Sequence, residues 1–224
     1  VILDGRVLPS MPHSVVAPTQ LIDMFPTIME YAGVDSARWP SALDGHSLRP
    51  FMAERGAQAL AGHQRPNFVA SQFHGCNIAM SWFMVVEAVG DDLFKLIVWG
   101  TGKEVPAQLF KLTTDPSENV NLADEPAYRA VRAQLDASLR SVIDYPAVAM
   151  DVAHYNKASF TSWANATHNW RAAVHAANLR WSKSWDDDPS GAMEAINGWL
   201  QQPAQVLPCR GSLKWPAAAT SLVG

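Results

Sequence analysis

The stretch SWFMVVEAVGDDLFKLIVW, residues 81–99, decides the fold of this chain. Two runs rich in valine and aromatic residues, 81–89 and 93–99, are separated by Gly90-Asp91-Asp92, which has the composition of a hairpin turn. Asp91 and Asp92 are more typical of turn formation than of metal binding, because short carboxylates hydrogen-bond the local backbone. The stretch therefore predicts an antiparallel β-hairpin.

Two further strands are predicted on either side of this hairpin. Residues 68–73 read FVASQF, and residues 108–112 read QLFKL before the turn Thr114-Asp115-Pro116. We therefore expect a small antiparallel sheet of four strands between residues 68 and 112, in an α+β segment.

Helices are predicted before and after the sheet. In TQLIDMFPTIMEYAG, residues 19–33, Thr19 is a candidate N-cap and Gly33 a candidate end, while Pro26 predicts a kink or a second start. The apolar face that we expect to be core consists of Leu21, Ile22, Phe25, Ile28, Met29 and Ala32. A second helix is predicted to follow Asp124-Glu125-Pro126 and to continue to about Asp144.

The last third of the chain is rich in tryptophan. Apolar and small residues recur three and four apart and predict one long helix with a packing seam: Phe160, Trp163, Thr167, Trp170, Val174, Ala177 and Trp181. A sugar-stacking surface is the alternative interpretation of these tryptophans. Asp188-Pro189 predicts a final helix through Leu200, and the composition after Gln201 predicts a loose tail.

The candidate functional residue is His74, which follows the strand 68–73 in the segment His74-Gly75-Cys76-Asn77. A strand that ends in His-Gly presents an imidazole at the rim of a sheet, where glycine allows close approach. The ordinary alternative is that His74 caps the strand by hydrogen-bonding a neighbouring carbonyl.

Composition excludes several classes of protein. The chain has 224 residues, 48% apolar, with a net charge of −4 and scattered Lys and Arg, so no basic nucleic-acid surface is indicated. Two cysteines, Cys76 and Cys209, form neither a disulfide framework nor a metal motif. No apolar run reaches the length of a membrane span. Phosphate-binding loops, a GxSxG elbow and an evident carboxylate pair are also missing from the sequence.

Three groups of motifs resemble the sulfatase family, of the alkaline-phosphatase-like superfamily. LIDMFPTIMEYAGV (21–34) precedes LDGHSLRPF (43–51), and MVVEAVGDDLFKLIVW (84–99) precedes QLFKLTTDPSENVNLA (108–123). Lys111 stands where the family usually has Asp or Asn. The third group resembles a lysosomal subfamily acting on 2-sulfated glucuronate of glycosaminoglycans: SQFHGCN (71–77), VIDYPAV (142–148), HYNKASF (154–160), NLRWSKSW (178–185) and INGWL (196–200).

The resemblance spans about Val7 to Leu200 and implies the C-terminal part of an α/β sulfatase. The family nucleophile, a formylglycine made from a cysteine, and the calcium ligands are expected upstream, so we assign no catalytic residue and no metal ligand here. Substrate contacts are expected from His74, Gln72 and Asn77, although the subfamily carries Glu at the position of Gln72. The expected partners are a sulfated sugar and the remainder of the sulfatase chain.

The same resemblance predicts the organisation of the chain. Residues 1–66 would end the large domain, 67–145 would form the sheet with its packing helix, 146–202 the tryptophan-rich extension, and 203–224 the loose tail. The chain begins at Val1 without a signal-peptide pattern, which we interpret as a missing N-terminus. Lysosomal or secretory location is expected, with glycosylation at the Asn165-Ala166-Thr167 sequon. Two rival functions stay open: a non-catalytic carbohydrate-binding module, and a phosphodiesterase of the same superfamily.

Overall fold

A four-stranded antiparallel sheet forms the centre of the protein. The computed structural model describes residues 17–40, 43–53, 65–74, 80–176 and 188–206. The strands lie in the order β1-β2-β3-β4 and are antiparallel throughout. Their bounds are β1 Phe68–Phe73, β2 Trp82–Val89, β3 Asp92–Trp99 and β4 Gln108–Lys111. The predicted sheet is therefore confirmed.

The hairpin turn is one residue tighter than its composition suggested. Val89 pairs with Asp92, so Gly90 and Asp91 alone make the turn, and Gly90 has a φ of 61° that favours glycine. Asp92 belongs to β3 and its carboxylate lies 2.8 Å from the Lys111 ammonium. Lys111, the departure from the family motif, thus closes an ion pair at the edge strand β4.

One face of the sheet is covered by helix α3 (Arg129–Val142) and by the first residues of helix α4 (Tyr145–Ala166), where Tyr145 and Ala149 join the core. Alternate strand residues point to this face because successive side chains of a strand lie on opposite sides. The fully buried side chains here include Phe83, Val85, Leu96 and Leu109 from the sheet and Leu135 and Leu139 from α3. This layer is the hydrophobic core.

The remaining helices are short or peripheral. They are α1 (Met24–Tyr31), α2 (Arg49–Ala53), α5 (Trp170–Ala176) and α6 (Pro189–Gln201). Gly33 ends α1 with a φ of 68°, and Asp188 caps α6 by accepting a hydrogen bond from the Gly191 N–H at 3.0 Å. None of the helices in the described ranges is long and apolar enough to cross a bilayer.

The apolar face of α1 is not core in this chain, which corrects the prediction. A 3₁₀ turn, Leu21–Asp23, precedes the helix and is capped by Gln20 rather than by Thr19. Leu21 is 87% exposed and Ile28 53% exposed. Asp23, Pro26 and Thr27 are buried instead, because they lie on the side that holds the loop 43–48.

The long tryptophan helix is interrupted, which corrects the second helical prediction. Helix α4 ends at Ala166, and Asn169 adopts a φ of 54° before α5 begins at Trp170. Asparagine tolerates this left-handed conformation better than most residues. The packing of the seam survives the break: the Phe160 ring lies 5.5 to 5.6 Å from the rings of Trp163, Trp170 and Trp199. Trp181 and the tail from residue 207 lie outside the described residues.

Candidate functional site

The exposed end of strand β1 carries two of the three predicted site residues. Among the described residues, β1 is an edge strand that pairs with β2 alone. Gln72, opposite Phe83 in the register, and His74, two residues further, are both exposed. Phe73 lies between them, and its ring stacks on Trp82 at 6.0 Å. Asn77 lies outside the described residues, together with Gly75 and Cys76.

The His74 ring is held in place by two contacts from β2 and the residue before it. Its Nδ1 lies 2.8 Å from the Oγ of Ser81, a buried residue. The edge of the ring packs against Phe83, with 5.6 Å between the ring centroids. The polar partner is thus a hydroxyl rather than the carbonyl of the ordinary interpretation. Within the described ranges Nε2 has no hydrogen-bond partner, so it is the ring nitrogen available to a ligand.

Gln72 supplies a second exposed polar group on the same strand. Its amide makes no hydrogen bond within the described part of the chain. An amide is both donor and acceptor and suits hydroxyl groups of a sugar. His74 and Gln72 together form what we term the strand-end site.

A polar network that was not predicted from the sequence lies beyond the Phe83 ring from the strand-end site. The buried Tyr145 ring lies 5.6 Å from Phe83, and its hydroxyl donates to Asp136 at 2.9 Å. Burial and the hydrogen bond to Asp136 raise the pKa of Tyr145 to about 12, so the phenol stays neutral. Arg140 donates to the same carboxylate at 2.7 Å and lies over the Tyr145 ring. The only signal in the sequence was the motif VIDYPAV.

A buried ion pair fixes the loop that carries the DGHS motif. The Arg65 guanidinium donates to Asp23 at 2.6 Å, and the two side chains are 5% and 0% exposed. The same carboxylate accepts from the N–H groups of His46 and Gln20, both at 2.9 Å. Burial would raise the pKa of Asp23, but these hydrogen bonds and the Arg65 charge hold it below its usual value.

A cavity of about 430 Å³ lies beside this ion pair. Gln20, Asp44, His46 and Arg65 contribute polar groups, and Phe68 and Ile143 belong to its apolar wall. Because Arg65 and Asp23 satisfy each other, the pair acts as a structural clamp between the 43–48 loop and α1. Nothing in the periodicity of the sequence indicated that Asp23 and Arg65 meet.

The calcium that the resemblance implies has no ligand set in the described ranges. There, no three or more His, Cys, Asp or Glu side chains lie close enough together to hold an ion. The described residues therefore do not fit the metal, and we assign it no ligand among them. Asn165 is exposed in the last turn of α4.

Comparison with known proteins places most of the chain beside one group. The family model "N-sulphoglucosamine sulphohydrolase, C-terminal" matches residues 11–145. Chicken (Gallus gallus) arylsulfatase K is 35% identical over 195 residues, covering 86% of this chain and 34% of the relative. Human (Homo sapiens) arylsulfatase K is 33% identical over 183 residues, with coverages of 81% and 32%. The chain thus spans about a third of the length of the curated relatives it matches.

A solved 2-O GAG sulfatase superposes on 54% of this chain and 24% of its own, at 24% identity and a TM-score of 0.40. A score at that level does not by itself define a shared fold. The family match therefore rests on sequence.

Proposed function

Since the chain belongs to the sulfatase family, as the C-terminal part that its family model describes, we propose that the whole protein hydrolyses sulfate esters of glycosaminoglycan sugars. The substrate we propose is a 2-sulfated uronate, in keeping with the similarity to arylsulfatase K and the subfamily motifs. In this proposal this chain binds the sugar, and the catalytic groups belong to the remainder of the protein.

The observation that carries this proposal is the fixed, exposed imidazole of His74. Ser81 and Phe83 hold the ring while Nε2 has no hydrogen-bond partner among the described residues, which is the arrangement expected of a binding group. An N–H donor, strengthened by charge when the ring is protonated, suits the carboxylate or hydroxyls of a uronate. Gln72 adds a donor and an acceptor beside it, and Asn77 is proposed to contribute from the segment that follows.

The formylglycine nucleophile and calcium belong in this proposal to the remainder of the protein. When bound, calcium would stabilise negative charge on the sulfate oxygens. His74, Gln72 and Asn77 orient the sugar ring so that the sulfate reaches that centre. We further propose a lysosomal or secreted protein with a glycan on Asn165; removal of N-glycans should then shift the mass of the native protein, and an Asn165→Gln variant should show no shift at this site.

The reaction class is tested by assaying the full-length natural protein for sulfate release from a 2-sulfated uronate disaccharide. We expect sulfate release, and a formylglycine-bearing peptide in its mass spectrum. A threonine or serine nucleophile with phosphodiester cleavage would instead establish the rival phosphodiesterase.

A non-catalytic carbohydrate-binding module is the second candidate, and the exposure of Trp163 favours it. Trp163 is 41% exposed beside Phe160, so one indole face could stack on a sugar. Titration with heparan or chondroitin fragments should quench tryptophan fluorescence if this surface binds. We expect no change, because Phe160 and its three tryptophan neighbours form a packed cluster.

A further inference from the structure

A cavity of about 380 Å³ between α3 and the sheet is lined by three arginines. Arg129, Arg132, Asp136 and Arg140 follow one another at spacings of three and four residues, so they share one face of α3. Tyr145 and Gly102 also line this cavity. We call it the arginine groove.

Internal partners account for only part of the positive charge in the groove. Arg140 is committed to Asp136 at 2.7 Å and covers the Tyr145 ring at 4.2 Å. Arg132 donates to the Ala123 carbonyl at 2.9 Å and reaches Asp124, 87% exposed, only at 3.6 Å.

The Arg129 side chain is exposed and makes no hydrogen bond or ion pair within the described part of the chain. An exposed, water-screened contact such as Arg132–Asp124 neutralises little charge. The groove therefore keeps an excess of guanidinium charge at Arg129 and Arg132.

The groove lies close to the strand-end site. The buried Phe83 ring is 5.6 Å from both the His74 ring and the Tyr145 ring, so the Tyr145 end of the groove lies near the strand-end site. Arg132 and Arg129 lie about two and three helical turns farther along α3 from Arg140, which covers Tyr145. A ligand that contacts His74 and these arginines must therefore be an oligosaccharide that passes over the surface above Phe83.

We propose that the arginine groove binds a second anionic group, a sulfate or carboxylate, of an extended sulfated oligosaccharide whose other end lies at the strand-end site. Guanidinium groups recognise such oxyanions through two parallel hydrogen bonds. This inference rests on the proposed function, since it extends the same substrate beyond the sugar that is hydrolysed. It assigns Arg129 and Arg132 to binding and not to the reaction.

The test measures the affinity of the full-length natural protein for a sulfated uronate hexasaccharide and for a disaccharide, by calorimetric titration. The variant is Arg129→Glu with Arg132→Gln. The control is Arg38→Glu with Arg171→Gln, which makes the same charge change at two exposed arginines outside the groove. Because the Arg129 side chain has no partner among the described residues, Arg129→Glu alone is measured as well, so that a folding defect of the double variant is recognised.

We expect the groove variants to weaken hexasaccharide binding by at least about tenfold, more than they weaken disaccharide binding, and the control to change it less than twofold. The hexasaccharide affinity of the wild type should also fall more steeply with salt than that of the variant. Equal losses in variant and control, or no loss, would overturn the proposal. So would inorganic sulfate that competes at the groove as strongly as the hexasaccharide, since this would indicate a small-anion site.

The two proposals fail separately in this design. Absence of sulfate release with groove-dependent hexasaccharide binding would contradict the sulfatase activity and support the groove. Sulfate release with hexasaccharide binding that does not depend on the groove would support the sulfatase activity and contradict the groove.

Discussion

At the scale of single residues, His74 shows what a sequence can and cannot indicate about a site. The strand before it and the glycine after it predicted an exposed imidazole at a sheet rim, and the structure places it there. The partner Ser81 was not predictable, because the contact joins β1 to the residue before β2 across a segment whose path the sequence does not define. The arginine groove was not predictable either, because it depends on how α3 packs against the sheet.

The buried pair Asp23–Arg65 should be among the most sensitive positions of the chain. Asp23→Ala leaves the Arg65 charge buried without its partner, which should cost about 3–5 kcal/mol of the free energy of unfolding. Glu30→Ala breaks the exposed pair with Arg49, 3.2 Å long, and should cost less than about 1 kcal/mol. Urea unfolding of the two variants measures the contrast; similar losses would contradict it.

The same carboxylate predicts the direction of the pH dependence of stability. Because the pKa of Asp23 is lower in the folded state than its ordinary value of 3.8, its contribution is complete above that value. Stability should fall as the pH drops below about 4, because the unfolded chain then binds a proton at this carboxylate while the folded state still keeps it ionised. Unfolding curves from pH 6 to pH 3 measure this. In Asp23→Asn the free energy of unfolding should fall less between pH 4 and pH 3 than in the wild type. An unchanged fall would contradict the role of Asp23 in this pH dependence.

Glu87 is a second buried carboxylate. Here we expect replacement of the carboxylate to stabilise the fold, whereas replacement of Asp23 destabilises it. It is 3% exposed in β2; Oε1 accepts from Gln134 Nε2 at 2.7 Å, but Oε2 has no partner among the described residues. Burying an unsatisfied polar group is costly, so Glu87→Met should stabilise the fold by about 1 kcal/mol or more. Gln134→Ala should destabilise it by about 1–3 kcal/mol. Loss of stability in Glu87→Met would contradict this prediction.

At the scale of elements, strands were easier to predict than long helices. All four strands follow from runs of β-branched and aromatic residues between turn residues, signals that lie within each segment. The break between α4 and α5 has a weaker signal: Thr167 and Trp170 fit the predicted helical spacing, and only Asn169, which tolerates a left-handed φ, marks the turn. The exposure of the apolar face of α1 was not predicted for a related reason. The opposite side of the helix is buried through the contact of Asp23 with Arg65, which is distant in sequence.

Phe160 should control the packing of the helical extension without controlling the sheet. Its ring contacts the rings of Trp163, Trp170 and Trp199, which join α4, α5 and α6. Phe160→Ala should cost about 3 kcal/mol or somewhat less, because the site is half-buried. Red-shifted tryptophan fluorescence with hydrogen-exchange protection retained in β2 and β3 would be the expected result. Equal loss of protection in both parts would show one cooperative unit.

At the scale of the whole molecule, the described fold exposes a group of large apolar side chains. Leu21, Ile22, Phe25 and Ile28 are all at least 44% exposed and lie close together in sequence around the start of α1. Apolar patches of this kind mark interaction surfaces or promote association. The predicted division into regions at residues 66, 145 and 202 stays a prediction, and limited proteolysis would test it.

Replacing this patch should therefore change association more than stability. In the 224-residue chain, Leu21→Gln, Phe25→Gln and Ile28→Gln together should reduce light scattering and binding of an apolar dye, with little change in melting temperature. Tyr155→Gln is the control, since an isolated exposed ring, 71% exposed here, should not matter. A large fall in melting temperature of the triple variant would show that the face is packed after all.

The most direct test of the substrate-recognition role is kcat/KM of the full-length natural protein on a 2-sulfated uronate, for wild type, His74→Ala and the control His168→Ala. Loss of a charge-assisted hydrogen bond, worth about 1.5–3 kcal/mol, should lower kcat/KM about 10- to 100-fold in His74→Ala. His168 is exposed in the turn between α4 and α5, and its removal should have no effect. An unchanged kcat/KM in His74→Ala would contradict the assignment of the strand-end site.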